Sequence, residues 1–278
     1  MTTVQRPVGE LLRQWRQRRR VSQLDLAIAA DISTRHLSFV ETGRARPSRD
    51  MVLRLAEHLD VPLRERNQLL LAAGYAPAYR ESALSDPRMS AAADAVRQLL
   101  ASHEPYPAVV VDRMWNLLHA NSSVSLFTEG AAPELLSPQP NVLRIALHPQ
   151  GLAPRVVNLG QWRGDLLGRL RRQVEATGDP ELAALLEEVR GYPCDQPVSA
   201  VEIPSGASIF VPLRVRHGDV ELSLFSTVAT FGTPLEVTLS ELVIESFYPA
   251  DEATGEYLRR HRVVNGRIEG GLIKSSLR

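Results

Sequence analysis

The sequence lacks cysteine pairs and long apolar runs. Cys194 is the only cysteine among 278 residues, which excludes an intramolecular disulfide framework and a cysteine-rich zinc site. No apolar run approaches the roughly 18 residues of a membrane span, and the start of the chain lacks an apolar stretch of the signal-peptide type. We therefore expect a cytoplasmic protein with no membrane partner.

The short motifs of several enzyme classes are also missing. The sequence contains no HExxH metalloprotease helix, no GxSxG nucleophile elbow and no GxxxxGK[ST] phosphate loop. The seven histidines are scattered, although His119, His148 and His217 could still converge in space. We expect a protein that is not an enzyme and holds neither a metal nor a cofactor. A helical solenoid is also disfavoured, since no 34-residue repeat is visible.

Charge is distributed unevenly along the chain. Residues 1–80 hold 14 Arg and 8 acidic residues, a net charge of +6, whereas residues 81–278 hold 18 Lys and Arg against 24 acidic residues, a net charge of −6. The formal net charge of zero therefore conceals a basic N-terminal part. With a length that suits two domains, this part is the candidate for nucleic-acid binding.

The N-terminal part shows the pattern of short helices joined by tight turns. Apolar residues recur three to four positions apart from Leu11 onward. Ser22 and Ser33 can each cap a helix, and Val21 and Ile32 precede them as in hydrophobic staples. Two short helices then meet at Asp31, which is the arrangement of a helix-turn-helix.

The segment SQLDLAIAADISTRHLSFVETGRARPS resembles the helix-turn-helix of the XRE family. The resemblance extends over about 65 residues, through MVLRLAEHLDVP and RERNQLLLAAGY. It implies an all-α, five-helix DNA-binding domain over residues 1–76. It also implies an internal ion pair between Arg16 and Glu41.

The matched positions imply roles in DNA binding. Gln23 would donate to a phosphate, and Thr34 and Arg35 would read bases, since an Arg fork can bond both O6 and N7 of guanine. Ser38 could bond a base edge or phosphate, and Phe39 could contact a thymine methyl or instead fill an interface. The loop arginines would meet the backbone or minor groove. The predicted set is Gln23, Ser33, Thr34, Arg35, Ser38, Phe39, Arg44 and Arg46.

The basic run RQRRR, residues 16–20, has two interpretations. It lies just before the second helix, where positive charge would attract phosphates. It could equally form a solvated basic face. The sequence leaves both open.

A Pro- and Ser-rich stretch over residues 77–90 predicts a linker to a second domain over residues 91–270. This domain begins with a helix near Ser90–Ser102, and PAVVVDRMWNLLHANSSVSLF then predicts a strand, a turn at Asp112 and Arg113, a second strand from Trp115 to His119, and a helix. The segments NVLRIALHP, NLGQWRGDLLGRLRRQVEA and PELAALLEEVRGY predict helices.

The last part of the chain has the alternation of strands. Apolar residues at 209, 211, 213 and 215 alternate with their neighbours, and VELSLFSTVATF and LEVTLSELVIESFY follow, separated by FGTP. We expect an antiparallel sheet of about five strands with flanking helices. The fold class is α+β overall, and the opening strand, strand, helix order resembles a PAS-like domain.

This second domain resembles the MmyB-like regulators. The resemblance is carried by AVVVDRMWNLLHAN, NVLRIALHPQG, FSTVATFGTP and FYPADEAT, which together cover most of residues 105–257. It implies a PAS-like domain that binds a small apolar, fatty-acid-like ligand.

Apolar side chains of such a domain are candidates for lining a ligand cavity, although ordinary core packing is the alternative for each. Arg144 and His148, four apart on one helical face, could pair with a carboxylate head or be solvated surface. The other candidates are Trp115, Leu118, Leu143, Leu147, Val211, Leu213, Leu224 and Phe225.

Together these features predict a DNA-binding transcription regulator. We expect a homodimer that binds double-stranded DNA at two palindromic half-sites and is modulated by the ligand. The alternatives are a second domain that serves only dimerisation or protein interaction, and one that is an enzyme or a cofactor-bearing sensor.

Overall fold

The computed structural model describes residues 6–197 and 211–261 of the chain. The chain divides into two compact units. The N-terminal unit consists of Met1–Ala83 together with Gly232–Ser240, and the C-terminal unit consists of Leu84–Phe231 together with Glu241–Arg278. A segment that lies late in the sequence is therefore part of the N-terminal unit.

The N-terminal unit contains the five helices predicted for a helix-turn-helix domain. Their apolar faces meet in one core, in which Leu12, Leu37 and Leu55 are completely buried. The helices are α1 (Val8–Arg18), α2 (Gln23–Ala29), α3 (Thr34–Glu41), α4 (Arg49–His58) and α5 (Leu63–Ala72).

Two serine caps fix the starts of α2 and α3. The Ser22 hydroxyl oxygen accepts the backbone N–H of Asp25 at 3.1 Å, and that of Ser33 accepts the backbone N–H of His36 at 3.1 Å. Each cap satisfies a backbone donor that the helix itself leaves unpaired. Asp31 turns the chain between the two helices with a φ of 52°.

The C-terminal unit is built on the predicted five-stranded antiparallel sheet. The strands lie in the order β2-β1-β5-β4-β3, so the last strands of the sequence pair with the first. The strands are β1 (Ala108–Val111), β2 (Leu117–Ala120), β3 (Leu213–His217), β4 (Val220–Ala229) and β5 (Val243–Pro249).

Helices pack around this sheet and share a core with it. The longest helix, α10, packs against α11 and contributes Trp162, Leu166 and Leu170 to that core. The α+β class predicted from the sequence is confirmed. The helices of this unit, in chain order, are α6 (Ser90–Ser102), α7 (Ser125–Thr128), α8 (Pro133–Leu136), α9 (Val142–Leu147), α10 (Leu159–Thr177), α11 (Pro180–Arg190) and α13 (Glu252–Arg260). The short helix α12 (Val237–Glu241) lies in the segment that belongs to the N-terminal unit, except for its last residue.

The segment LEVTLSELVIESFY differs from its prediction as one strand. Its first half forms α12, and β5 begins only at Val243. The Glu236 carboxylate accepts the backbone N–H of Leu239 at 2.9 Å and also that of Ser82, so hydrogen bonds outside any sheet hold this stretch. They override a local alternation that favoured a strand.

Two other strands begin later than the sequence pattern indicated. β2 starts at Leu117 because Trp115 adopts a φ of 65° within the turn. β3 starts at Leu213, so Val211 precedes the strand. The predicted strand residues Ile209 and Phe210 lie outside the described residues.

Candidate DNA interface and interior cavity

An ion pair beneath α3 fixes the position of this helix. Arg16 donates from Nε to Glu41 Oε1 at 2.6 Å and from Nη2 to Oε2 at 2.9 Å, so the pair implied by the sequence resemblance is present. The Glu41 side chain is only 1% exposed, and its hydrogen bond raises the pKa of Arg16. The two hydrogen bonds of this pair fix the C-terminal end of α1 relative to the C-terminal end of α3.

Gln23 belongs to the same network. Its Nε2 donates to Glu41 Oε2 at 2.7 Å. The residue stands at the first position of α2 and is half-buried. A DNA phosphate would have to compete with Glu41 for this amide.

The outer side of α3 carries the predicted base-reading residues. Leu37 and Val40 are buried, whereas Arg35 is exposed and Thr34, Ser38 and Phe39 are partly exposed. The Arg35 guanidinium lies 5.4 Å from the centroid of the Phe39 ring. This contact orients the arginine along the helix surface, and it also accounts for a phenylalanine that is not fully buried. Ser33 itself serves as the helix cap.

The two loop arginines have different surroundings. Arg44 is exposed and makes no ion pair within the described part of the chain. Arg46 donates from Nε and Nη2 to the Ala73 carbonyl at 3.2 and 2.8 Å, and its guanidinium lies 5.7 Å from the Tyr75 ring. The phosphate role of Arg46 stays a prediction, and a phosphate would meet a guanidinium that already binds the C-terminal end of α5.

Other arginines also bind helix ends. Arg19 donates to the Leu59 carbonyl at 2.9 Å, and Arg54 donates to the Ala30 carbonyl at 3.2 Å. Helix C-termini carry unpaired carbonyls and a partial negative charge, so these contacts are favourable. Within residues 16–20, the half-buried side chains of Arg16 and Arg19 thus bind other groups of the protein. Only part of the positive charge of this run can therefore attract phosphates.

The C-terminal unit contains a cavity between its sheet and helices. The space not filled by atoms is about 610 Å³ when the solvent in its open mouth is counted. Its walls are mostly apolar, as in typical ligand sites. The lining residues are Val109, Trp115, Leu117, Val124, Phe127, Thr128, Val142, Leu143, Ile145, Ala146, Leu152, Trp162, Leu166, Leu213, Glu245 and Phe247.

Three of the predicted apolar ligand residues line this cavity, and five lie outside its lining. Trp115, Leu143 and Leu213 are in the wall. Leu147 and Leu224 are buried in the core instead, and Phe225 stacks on Tyr248 at a centroid distance of 5.3 Å. Leu118 on β2 and Val211 before β3 are half-buried and also lie outside the lining.

The predicted carboxylate-binding pair, Arg144 and His148, is not part of the cavity. Arg144 makes two hydrogen bonds of 2.7 Å to Glu188, and these lower the pKa of Glu188. The His148 ring lies 4.9 Å from that of Tyr192, and its Nδ1 accepts the backbone N–H of Gln150. A role in holding a ligand head group is not supported, because both side chains bind protein groups outside the cavity wall.

Trp115 is held in an uncommon conformation at the cavity wall. Its φ of 65° is rare for a bulky residue. The Asp112 carboxylate accepts the backbone N–H of Met114 at 2.8 Å and that of Asn116 at 2.9 Å, and Trp115 Nε1 donates to Gln173 Oε1 at 2.7 Å. These contacts on both sides of the residue fix the indole ring in place.

Sequence reasoning missed the two most informative residues of the cavity. Glu245 is only 5% exposed, and its Oε1 accepts hydrogen bonds from Arg169 Nη1 at 2.9 Å and Ser226 Oγ at 2.8 Å. Trp162 lies on α10. A signal for Glu245 was present, since it shares one face of a strand with Val243 and Phe247, where a carboxylate needs a buried partner.

Two further features of the described residues concern membranes and metals. No helix within residues 6–197 and 211–261 is long and apolar enough to cross a membrane. In the same residues, no group of three or more His, Cys, Asp or Glu side chains is arranged to hold a metal ion.

Comparison with known proteins gives two matches, one in each unit. The model of the MmyB-like transcription regulator ligand binding domain matches residues 92–260. The model of a helix-turn-helix domain matches residues 7–69. A search of curated proteins finds no significant match to this chain.

Proposed function

We propose a ligand-responsive DNA switch for this chain, which belongs to the MmyB-like transcription regulators through the match over residues 92–260. The helix-turn-helix and the regulator domain together make it a DNA-binding transcription regulator. We propose further that it acts in the cytoplasm, performs no catalysis and binds DNA in the manner of the XRE type.

The DNA-binding part of the proposal rests on how α3 is fixed to its unit and which of its side chains are exposed. The Arg16–Glu41 pair and the Ser33 cap hold this helix from below, while Arg35 and Thr34 stand at its start. A helix placed in this way can enter the major groove, where Arg35 bonds a guanine edge. Arg44 contacts the phosphate backbone just beyond the helix.

We infer a homodimer because the surface of α3 that would contact bases is small. One recognition helix contacts too few base pairs for tight specific binding. Two copies related by a two-fold axis read two half-sites of a palindrome. We propose that the C-terminal unit brings the copies together and that its cavity holds an apolar ligand.

The segment Gly232–Ser240 provides a route from the cavity to the DNA-binding unit. It leaves β4 and returns to β5, whose residues Glu245 and Phe247 line the cavity. Within the N-terminal unit, Val237 N donates to the Arg80 carbonyl at 2.8 Å, and Glu236 accepts the backbone N–H of Ser82. We propose that a ligand that shifts β5 acts through this segment on residues 80–82, between α5 and α6, provided that it binds the two arrangements with different affinity.

The experiment that tests the DNA-binding part is selection from random double-stranded DNA by the purified full-length protein. We expect a palindromic sequence with two half-sites and a stoichiometry of two chains per duplex. Enrichment of no sequence would contradict the proposal. Enrichment of a single half-site by one chain would contradict the homodimer alone.

The ligand part is tested by native mass spectrometry of the same protein, followed by extraction of co-purifying molecules. A stoichiometric apolar molecule that changes DNA affinity supports the switch. If neither extraction nor addition of apolar molecules changes DNA affinity, the C-terminal unit serves dimerisation or protein interaction instead.

A further inference from the structure

The cavity wall has few polar groups, and its one charged group is negative, which does not suit an anionic ligand. Glu245 is the only ionisable residue in the lining, and no Arg, Lys or His of the described residues belongs to it. Residues 198–210, which precede β3, also contain no basic residue. Glu245 is already paired with Arg169, so the head group of a free fatty acid would meet an occupied ion pair and no further cation in the described lining.

Glu245 has one carboxylate oxygen that is still available. Both of its hydrogen bonds, from Arg169 and Ser226, reach Oε1. Oε2 receives no hydrogen bond from residues within the described ranges. An ionised carboxylate oxygen is a strong acceptor, so Glu245 offers a ligand an acceptor rather than a positive charge.

Trp162 offers the complementary group. Its side chain lines the cavity, the residue is only 4% exposed, and its Nε1 has no hydrogen-bond partner in the part of the chain that the structure describes. The other tryptophan of the wall, Trp115, already donates to Gln173. A buried indole N–H without a partner is costly and would be satisfied by an oxygen acceptor on a ligand.

From these two groups we infer that the cavity takes an uncharged, mostly apolar molecule bearing a hydrogen-bond donor and an acceptor, such as an amide or hydroxyl group, and not a carboxylate. The donor binds Glu245 Oε2, the acceptor binds Trp162 Nε1, and the apolar part lies against the Leu, Val and Phe side chains of the wall. This inference rests on the proposed ligand role of the cavity and narrows it to a chemical class.

The test compares three molecules with the same alkyl chain by displacement of the neutral dye Nile red from the delipidated full-length protein. Decanamide has both a donor and an acceptor, methyl decanoate has only acceptors, and decanoate carries a charge. We expect decanamide to bind at least tenfold more tightly than decanoate, because Glu245 occupies Arg169 and leaves no cation of the described lining for the carboxylate of decanoate. We expect methyl decanoate to bind about three- to tenfold more weakly than decanamide, the range for one lost hydrogen bond.

Two variants assign the effect to the named residues. Glu245→Gln removes the charge and should bring the affinities for decanamide and decanoate to within about threefold, since Arg169 then lacks its carboxylate partner. Trp162→Phe should weaken decanamide several-fold, after correction for the Nile red affinity measured separately in the variant, because it removes the N–H and keeps an aromatic ring. The second variant retains the buried ion pair and serves where the first fails to fold.

The outcomes separate this inference from the proposed function. If decanoate binds the unmodified protein as tightly as decanamide, or if Trp162→Phe leaves decanamide binding unchanged, the inference is wrong while the ligand role stands. If Nile red and all three molecules fail to bind, the ligand role itself is contradicted.

Discussion

Each unit of the molecule contains a buried Arg–Glu pair, and the two pairs differ in how completely they are satisfied. In the N-terminal unit, Arg16 binds both oxygens of Glu41, and Gln23 adds a third hydrogen bond. In the C-terminal unit, the contacts to Glu245 reach a single oxygen, and the pair borders the cavity. A network in which each carboxylate oxygen has a hydrogen-bond partner fixes one geometry. A carboxylate with partners on only one oxygen can still accept a hydrogen bond from a ligand.

The two units also differ in how completely the side chains around each pair are buried. The helix-turn-helix core is closed, with Leu12, Leu37 and Leu55 fully buried. In the cavity wall, Phe127 and Phe247 each retain 7% exposure and Trp115 retains 8%. This difference accords with the proposal that the first unit holds a helix in one position and that the cavity of the second admits a small molecule.

The largest expected effect is on folding of the N-terminal unit. Glu41→Ala leaves the Arg16 charge without its partner and should lower the free energy of unfolding by about 3–5 kcal/mol. Glu245→Gln should cost less, roughly 1–3 kcal/mol, because water can enter beside Arg169. Urea unfolding measures both, combined with hydrogen exchange over α1–α3 for Glu41→Ala and over β4 and β5 for Glu245→Gln. The exposed control Glu57→Ala should change stability by less than about 0.5 kcal/mol. Equal costs for Glu41→Ala and Glu245→Gln would remove the distinction between the two pairs.

Arg35 and Arg44 should differ in what their loss does to DNA binding. Arg35→Ala should cost roughly 1–3 kcal/mol on the selected site and relax preference at one base pair, because a base contact is lost. Arg44→Ala should weaken binding to all sequences alike and reduce the salt dependence. Fluorescence anisotropy on matched and mismatched duplexes distinguishes them. Uniform weakening by Arg35→Ala would make it a phosphate contact.

A substitution of Glu236 tests whether the segment Gly232–Ser240 couples ligand binding to DNA binding. Glu236→Ala removes the acceptor for the Ser82 and Leu239 backbone N–H groups. We expect ligand addition to change DNA affinity less than twofold in this variant, against the roughly five- to 150-fold typical of coupled sites. Leu235→Ala, at an exposed side chain of the same segment, is the matched control. Full coupling in the Glu236 variant would exclude this route.

The smallest effect concerns Asp179, which caps α11. Burial alone would raise the pKa of this carboxyl, but hydrogen bonds from Arg113 and from the backbone N–H of Glu181 outweigh it and lower the pKa below its ordinary value. Asp179→Ala should cost about 1 kcal/mol near pH 7. Since the folded-state pKa is depressed, this contribution is present above the ordinary carboxyl pKa and is lost as the pH falls through the folded value. A difference in stability that persists unchanged at low pH would contradict the ionised cap.

The sequence predicted the features that depend on neighbouring residues. Ser22 and Ser33 are followed three residues later by the N–H groups they cap, so the two helices of the helix-turn-helix could be located. The alternation in β4 likewise predicted its strand. Local capping and periodicity carry this information without knowledge of the fold.

The features that were missed depend on contacts between distant parts of the chain. Arg46 reaches a carbonyl 27 residues away, and Glu245 finds its arginine at a separation of 76 residues. The strand pattern around Leu235 gave way to a helix because Glu236 binds Ser82. Long polar side chains can follow many paths, and only the tertiary structure decides which carbonyl or cation they meet.

The most direct test of the switch is the DNA affinity of the delipidated full-length protein, titrated with whichever of decanamide and decanoate displaces Nile red. We expect the dissociation constant for the selected palindrome to change at least fivefold at saturation, with the protein remaining folded and dimeric. An unchanged dissociation constant with the cavity fully occupied would contradict the claim that ligand binding in the C-terminal unit controls DNA binding by the N-terminal unit.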